Sequence, residues 1–176
     1  MKGLYVTAKV GKRYKRYIEG FYQSDTIPLE RGSNLLNIIM PYLELTSDEW
    51  PETVDEETIK IELPLGNKKV YNFAGQSVYV CNTLWRNRLS EDGQFRVKRF
   101  FENMFKFAFH SFMDGHIAKH ESLKGDEENN KVKEAVTAFL IQYHVDFTKQ
   151  DIAALTRDWY RHRDKVEDNK RSPCVC

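Results

Sequence analysis

The sequence has little of the residue types that mark several common classes of protein. Its 176 residues include only three cysteines, five prolines and nine glycines. This low glycine and proline content excludes collagen-like and low-complexity chains. An odd number of cysteines, with Cys174 and Cys176 near the end of the sequence, is not typical of a disulfide framework. We therefore expect a reducing, intracellular compartment.

Long hydrophobic runs are also missing. The longest run, residues 35–45, is interrupted by Asn37, Pro41 and Glu44, and it is shorter than the ~20 apolar residues that cross a bilayer. The first apolar stretch contains Lys9 and is too short for a secretory signal. The sequence therefore predicts a soluble, cytoplasmic protein with no membrane partner.

The patterns that carry known chemistry are missing as well. No glycine-rich phosphate loop follows a strand, and no nucleophile-elbow pattern occurs. His116 and His120 have the spacing of two ligands on one helical face, but Ile117 stands where a metalloprotease has glutamate. Cys81 lies in an apolar run and is predicted to be a buried structural thiol. We therefore expect no catalytic residue, no metal and no cofactor.

What the sequence does have is an ample supply of core residues. Apolar residues make up 41% of the chain and aromatic residues 13%. A chain of this length buries about two-thirds of the surface that its unfolded form exposes, so it needs no disulfide or metal to fold. Length and composition predict a single domain spanning residues 1–176.

The total charge of +1 hides an uneven distribution. Residues 1–18 contain six basic side chains and no acidic one, whereas residues 44–62 contain eight acidic side chains and one lysine. Besides the simple case of two solvated surface stretches, three interpretations stay open: the two segments meet within one chain, they meet between chains, or the basic segment faces a polyanion.

The first half of the sequence is predicted to be β-rich, over residues 1–89. Alternating apolar residues indicate a strand over Leu4–Val10, and aromatic residues on both faces suggest a second strand over Arg13–Tyr22. Gly11 and Lys12 between them predict an antiparallel β-hairpin. Three further runs, separated by glycine turns, predict a three-strand meander over Thr58–Leu65, Lys68–Ala74 and Ser77–Leu84. Residues 35–45 fit either a short buried helix ending at Pro41 or a core strand.

The second half is predicted to be helical, over residues 90–165, with a polar tail over 166–176. A 3.6-residue period begins after Ser90, and a second amphipathic stripe runs from Val132 to Tyr143. Thr148 and Asp151 have the spacing of a capping box at the start of a last helix. The expected fold is thus α+β, with the hairpin and meander packed against about three C-terminal helices.

Two groups of residues could bind a partner. The first lies in the expected hairpin, where basic residues that could neutralise phosphates alternate with tyrosines that could stack on bases. The second is a row of basic residues at i, i+4 and i+8 on the last helix. The candidates are Lys9, Lys12, Arg13, Tyr14, Lys15, Arg16 and Tyr17 in the first group, and Arg157, Arg161 and Lys165 in the second.

The leading hypothesis is a non-enzymatic assembly or adaptor component of a larger complex, such as a virus particle or a mobile-element machine. It follows from the abundance of aromatic residues, which are enriched at interfaces, from the broadly apolar helix after Ser90 and from the opposed charges. Its partners would be other protein chains, in a homo- or hetero-oligomer. The alternative is a nucleic-acid-binding protein that uses the two basic groups, and the third hypothesis is an enzyme whose site is assembled from distant residues.

Overall fold

The computed structural model describes residues 4–46, 54–64, 69–71, 77–79, 86–118 and 125–171. Every strand within these ranges precedes the three long helices, so the protein has a mixed α+β fold, as the sequence predicts. The strands are β1 Leu4–Lys9, β2 Thr26–Pro28, β3 Leu43–Thr46, β4 Thr58–Leu63, β5 Lys69–Tyr71, β6 Ser77–Tyr79 and β7 Arg86–Leu89. The helices are α1 Lys12–Tyr22, α2 Asn34–Ile39, α3 Glu91–Ile117, α4 Asp126–Gln142 and α5 Lys149–Arg171.

The largest described sheet has β4 in its centre, in the order β1-β4-β2. β1 pairs antiparallel to β4, from Leu4 opposite Leu63 to Lys9 opposite Thr58, and β2 pairs parallel to β4 on its other side. Alternate residues of both long strands are buried, among them Val6, Ala8, Ile59 and Ile61. This confirms the strand predicted at the beginning of the sequence, because a period of two places every second side chain on one face.

The predicted hairpin is wrong, because Arg13–Tyr22 belongs to a helix rather than a strand. α1 buries Tyr17 and Ile18, and with Tyr14 and Phe21 these residues have the i, i+3, i+4, i+7 spacing of a helical stripe. Gly11 makes the turn that was expected, with a φ of +92° that only glycine adopts freely. The strand that pairs with β1 comes instead from β4, far along the chain.

The predicted three-strand meander is also wrong, although its strands exist. β5 and β6 pair antiparallel to each other in a two-stranded sheet. β4 cannot join them as a third strand because both of its edges are taken, by β1 and β2. β7 pairs instead with β3. Most of the connections in this part of the chain, including Cys81, lie outside the described residues.

Residues 35–45 combine the two alternatives that the sequence left open. α2 begins after Ser33, whose hydroxyl oxygen accepts a hydrogen bond from the Leu36 amide at 3.3 Å. A short 3₁₀ turn follows over Met40–Tyr42 and contains Pro41. The chain then enters β3. A proline at the end of a short helix is the expected place for this change, because proline has no amide hydrogen to donate.

The three predicted C-terminal helices are confirmed. In the second part of α3, Phe105 and Phe109 are buried and lie against Phe139 of α4, with ring centroids 5.7 and 5.2 Å apart. α5 begins after Thr148, as the capping pattern predicts, and it continues to Arg171. Residues 166–171 of the predicted polar tail thus belong to α5, and residues 172–176 lie outside the described residues.

The chain divides into two compact units, Met1–Met104 and Phe105–Cys176. The division falls within α3, so this helix begins in the first unit and ends in the second. The sequence predicted a change from a β-rich to a helical half between residues 89 and 90. That position coincides with the start of α3 and not with the division between the two units. That residues 1–176 form a single domain stays a prediction.

The start of α3 is fitted closely to the first unit. Gln94 bridges two backbone groups of β1: its side-chain oxygen accepts from the Lys9 amide at 2.9 Å and its nitrogen donates to the Thr7 carbonyl at 3.0 Å. β1 lies at the edge of the described sheet, and an edge strand presents backbone groups that need a partner. Gly93, just before it, comes so close to Tyr42 that an added Cβ would lie 2.6 Å from the Tyr42 Cβ.

We predict opposite effects for alanine at two glycines of α3. Gly93→Ala should destabilise the protein by about 1–3 kcal/mol, because the new methyl group overlaps Tyr42 at an atom that cannot rotate away. Gly115→Ala should be neutral or stabilising by up to about 1 kcal/mol, since nothing lies within 4 Å and alanine favours helix. Urea unfolding followed by circular dichroism measures both. Equal stability of the two variants would contradict this account of Gly93.

Candidate functional site

The pairing of β1 with β4 places an acidic loop, Asp55, Glu56 and Glu57, beside the beginning of α1. The Glu57 carbonyl accepts two backbone hydrogen bonds, from the Val10 amide at 2.9 Å and the Gly11 amide at 3.1 Å. These are the residues that join β1 to α1. The acidic loop is therefore fixed by main-chain contacts, before any side-chain charge is considered.

The acidic loop is also held from within. The Asp55 carboxylate accepts a hydrogen bond from the Thr58 hydroxyl at 2.5 Å and another from the Glu57 amide at 2.9 Å. These two bonds, led by the one from Thr58, lower the pKa of Asp55 below its ordinary value. A carboxylate that accepts local backbone and hydroxyl hydrogen bonds is a common way to close a tight turn.

The acidic loop pairs with the N-terminal basic cluster, which we define as Lys9, Lys12, Arg13, Lys15 and Arg16. Lys9 lies 2.9 Å from the Glu57 carboxylate, and Lys12 forms an ion pair with Glu56. The Lys15 ammonium donates to the Asp55 carbonyl at 2.8 Å. Of the three interpretations of the charge pattern, the structure therefore supports contact between the two segments within one chain.

The protonation equilibria follow from these pairs. The hydrogen bond and charge of Glu57 raise the pKa of Lys9, and those of Lys12 lower the pKa of Glu56. In both cases the opposite charge favours the ionised form. All of these groups are exposed to solvent, so their interaction is screened by salt.

The acidic loop also compensates for an unfavourable arrangement in α1. The first turn of this helix contains basic residues and no acidic one, although the helix dipole favours negative charge there. Gly11, at the N-cap, has no side chain to accept from the free amides of the first turn. The carboxylates of the acidic loop supply negative charge at this end of α1.

The other predicted residues of the first group are less accessible to a binding partner than the sequence suggests. Tyr17 is fully buried and packs against Phe21, with ring centroids 6.1 Å apart, so it offers no face on which a base could stack. Arg13, Tyr14 and Arg16 are half-buried, and each of them takes part in further contacts. The N-terminal basic cluster is thus mainly an internal electrostatic contact of the first unit.

The second group lies on α5 and is arranged as the sequence predicts. Thr148 and Asp151 form the expected capping box: the Asp151 carboxylate accepts from the Thr148 amide at 2.9 Å, and the Thr148 hydroxyl accepts from the Asp151 amide at 3.3 Å. This fixes where the helix begins and hence which side chains share a face. Arg157, Arg161 and Lys165, which we call the basic ridge, are all exposed along α5.

The basic ridge differs from the N-terminal basic cluster in having no acidic partner among the described residues. Asp158, next to Arg157 in the chain, is engaged elsewhere, because its carboxylate lies 3.3 Å from His110 Nε2. The two basic groups also belong to different compact units.

Large apolar side chains on the surface are a third feature, and sequence reasoning found them only in part. Phe107 of α3 is 77% exposed, Phe95 62%, Ile141 of α4 60% and Phe21 of α1 49%. The sequence indicated that α3 is too broadly apolar for one contact, which agrees with these exposures. The helical period could have singled out Phe107, because it lies on the side of α3 opposite Phe105 and Phe109.

Metal and membrane features are not found in the part of the chain that the structure describes. No group of three or more His, Cys, Asp or Glu side chains there could hold a metal ion. None of the described helices combines the length and the apolar character that crossing a membrane requires. His120, Cys81, Cys174 and Cys176 lie outside the described residues.

Comparisons with known proteins add no family. No family model, no curated protein and no solved structure matches the chain. What the protein does is therefore inferred from the geometry of the surfaces described above.

Acidification should remove the stabilisation that the acidic loop provides. Because Glu56 has a lowered pKa in the folded protein, its contribution is complete above the ordinary value of 4.5 and is lost as the pH falls through the folded-state value. Glu56→Gln should therefore lower the stability of the protein at pH 7. It should also make the decrease in stability below pH 4.5 smaller than in the wild type. Urea unfolding at a series of pH values measures this.

The matched control is Glu30→Gln, which changes an exposed carboxylate outside the acidic loop. Its stability profile should follow that of the wild type. If Glu56→Gln and Glu30→Gln gave the same profile, the ion pair with Lys12 would not contribute to folding. High salt should reduce the difference between the two variants, since both partners are exposed.

Proposed function

We propose that the protein is a non-enzymatic component of a larger protein assembly, and that it docks onto other chains through Phe107 on α3. The observation that carries this proposal is the exposure of this ring, 77%, within a helix whose neighbouring aromatics are buried. Phe105 and Phe109 fill the core of the second unit, so Phe107 is not needed there. Covering an exposed phenylalanine is favourable by about 1.5–3 kcal/mol.

The setting around Phe107 indicates what kind of partner would fit. Lys106, next to it, is exposed, as is Asn103 one turn earlier. An aromatic side chain with polar and basic neighbours is typical of the centre and rim of a protein interface. The partner in this proposal is another protein chain, of the same or another kind, with an apolar pocket and an acidic edge. The assembly that we propose is of the kind found in a virus particle or a mobile-element machine inside a cell.

Phe107→Ser should weaken association without unfolding the protein, because the ring lies outside the core. We expect the wild type to show a mass above 20.8 kDa in light scattering, alone or with its native partner. A central interface aromatic contributes about 2 kcal/mol or more, which corresponds to a loss of about 30-fold in affinity. Lys133→Ser, at an exposed position of α4 outside this setting, is the control and should associate like the wild type.

A photo-crosslinking residue at position 107 extends this test to partners that purification loses. In the native cell, the photo-crosslinking residue at position 107 should give a discrete crosslinked product. The same residue placed at position 133, where it replaces the exposed Lys133 of α4, should not give this product. A strictly monomeric protein with no product specific to position 107 would overturn the proposal.

A second candidate function, nucleic-acid binding, is supported by the basic ridge alone. Its three side chains are exposed and have no acidic partner among the residues described. Successive members are four residues apart, which corresponds to about 6 Å along the helix axis. A row of this kind could neutralise phosphates along one strand of a nucleic acid, whereas the N-terminal basic cluster is already paired with the acidic loop.

Charge reversal distinguishes the two basic groups. If nucleic acid binds the basic ridge, the combined change Arg157→Glu, Arg161→Glu and Lys165→Glu should weaken binding. It should also make the salt dependence shallower, by about one unit of slope for each phosphate that the ridge no longer neutralises. Lys133→Glu on α4 is the control for charge alone. If the triple change left nucleic-acid binding unchanged at every salt concentration tested, the basic ridge would be excluded as the binding site.

A further inference from the structure

Two histidines from different helices of the second unit lie face to face. The rings of His110 on α3 and His162 on α5 are stacked, with centroids 3.8 Å apart and planes inclined by only 11°. One edge of the His110 ring is also anchored, because its Nε2 lies 3.3 Å from a carboxylate oxygen of Asp158. We call these two rings the histidine pair. It joins α3 to α5 through titratable groups rather than through apolar contacts alone.

The histidine pair lies beside the aromatic core of the second unit. The His110 ring is 5.6 Å from Phe109, which is fully buried, and the His162 ring is 5.9 Å from Trp159, which is 3% exposed. The His110 side chain is itself only 18% exposed. A charge at this place is therefore less well hydrated than one on an open surface.

The charged groups around the histidine pair only partly compensate for protonation. Asp158 of α5 and Asp114 of α3 favour a proton on His110, whereas His162 and burial disfavour it. Burial is the largest effect, so the pKa of His110 lies below its ordinary value. From α4, Glu128 is already paired with Arg163, the residue that follows His162. One carboxylate in contact can balance one imidazolium, but not two in a stack.

We propose that the histidine pair is an acid-sensitive latch, which holds α5 against α3 while at most one ring carries a proton and releases it when both rings are protonated. Two positive rings 3.8 Å apart repel each other in a partly dehydrated site. Histidine is the side chain whose charge changes between pH 5 and 8, so this release falls within the range of cellular compartments. The latch regulates the helical unit and does not depend on which partner the protein binds.

The sign of the pH dependence follows from the direction of the shift. Because the pKa of His110 is lowered on folding, the unfolded chain takes up its proton at a higher pH than the folded protein. Stability of the second unit is therefore complete above the ordinary pKa of histidine, about 6.5, and decreases as the pH falls below it.

Trp159 provides the readout, since it is buried next to the histidine pair. Its fluorescence can be isolated in a chain that carries Trp50→Phe and Trp85→Phe. Acrylamide quenching is then measured from pH 8 to pH 5, together with helix content. We expect quenching to increase by about twofold or more on acidification, with a midpoint close to or below the ordinary pKa of histidine.

Substitutions identify the groups responsible. His162→Gln leaves one titratable ring in the pair and should reduce the increase in quenching, while helix content at pH 8 stays that of the wild type. His110→Gln provides the same test from α3 if the first variant folds poorly. The control is His144→Asn, which changes an exposed histidine with a φ of +52°, a conformation that asparagine accepts.

The outcomes separate the latch from general acid unfolding. The proposal holds if the transition is present in the wild type and the His144 variant and is smaller in the His162 or the His110 variant. It fails if quenching of Trp159 is the same at pH 8 and pH 5, or if both variants of the pair keep the full transition.

Discussion

The register between β1 and β4 is the constraint on which the first unit depends. It brings together two parts of the chain about fifty residues apart, with Lys9 opposite Thr58 at one end. Once that register is set, the acidic loop before Thr58 must lie beside the turn that leads into α1. The basic residues of α1 then meet carboxylates of their own chain, and the helix obtains negative charge at the end where its dipole favours it.

This arrangement changes the meaning of the charge pattern for function. A strongly basic segment at the beginning of a chain suggests a polyanion partner, but here Lys9, Lys12 and Lys15 are engaged by the acidic loop. The surfaces that we propose for partners lie elsewhere, in the exposed ring of Phe107 and in the basic ridge of α5. Both belong to the second unit, where the histidine pair also joins α3 to α5. In the first unit the acidic loop thus engages these lysines, and the second unit presents the features that we assign to binding.

Local signals in the sequence predicted the helical half well, because they need no distant partner. The change of period after Ser90 and the capping box at Thr148 depend on neighbouring residues, and the structure has both. The β-rich half was predicted less well, since a strand's partner is set by contacts far along the chain. The missed helix α1 is a different error, because the spacing of Tyr14, Tyr17, Ile18 and Phe21 carried the helical signal. The histidine pair had no sequence signal, since its rings are 52 positions apart and meet only through helix packing.

The most direct test of the internal charge balance exchanges the charges of the two lysine–glutamate pairs. Lys9→Glu with Lys12→Glu is one half of the exchange, and Glu56→Lys with Glu57→Lys is the other. If the acidic loop holds the N-terminal basic cluster, each half alone lowers the urea concentration at which the protein unfolds, and all four changes together restore most of it. The account would be contradicted if each half alone unfolded at the same urea concentration as the wild type. It would also be contradicted if the protein with all four changes were no more stable than the two halves.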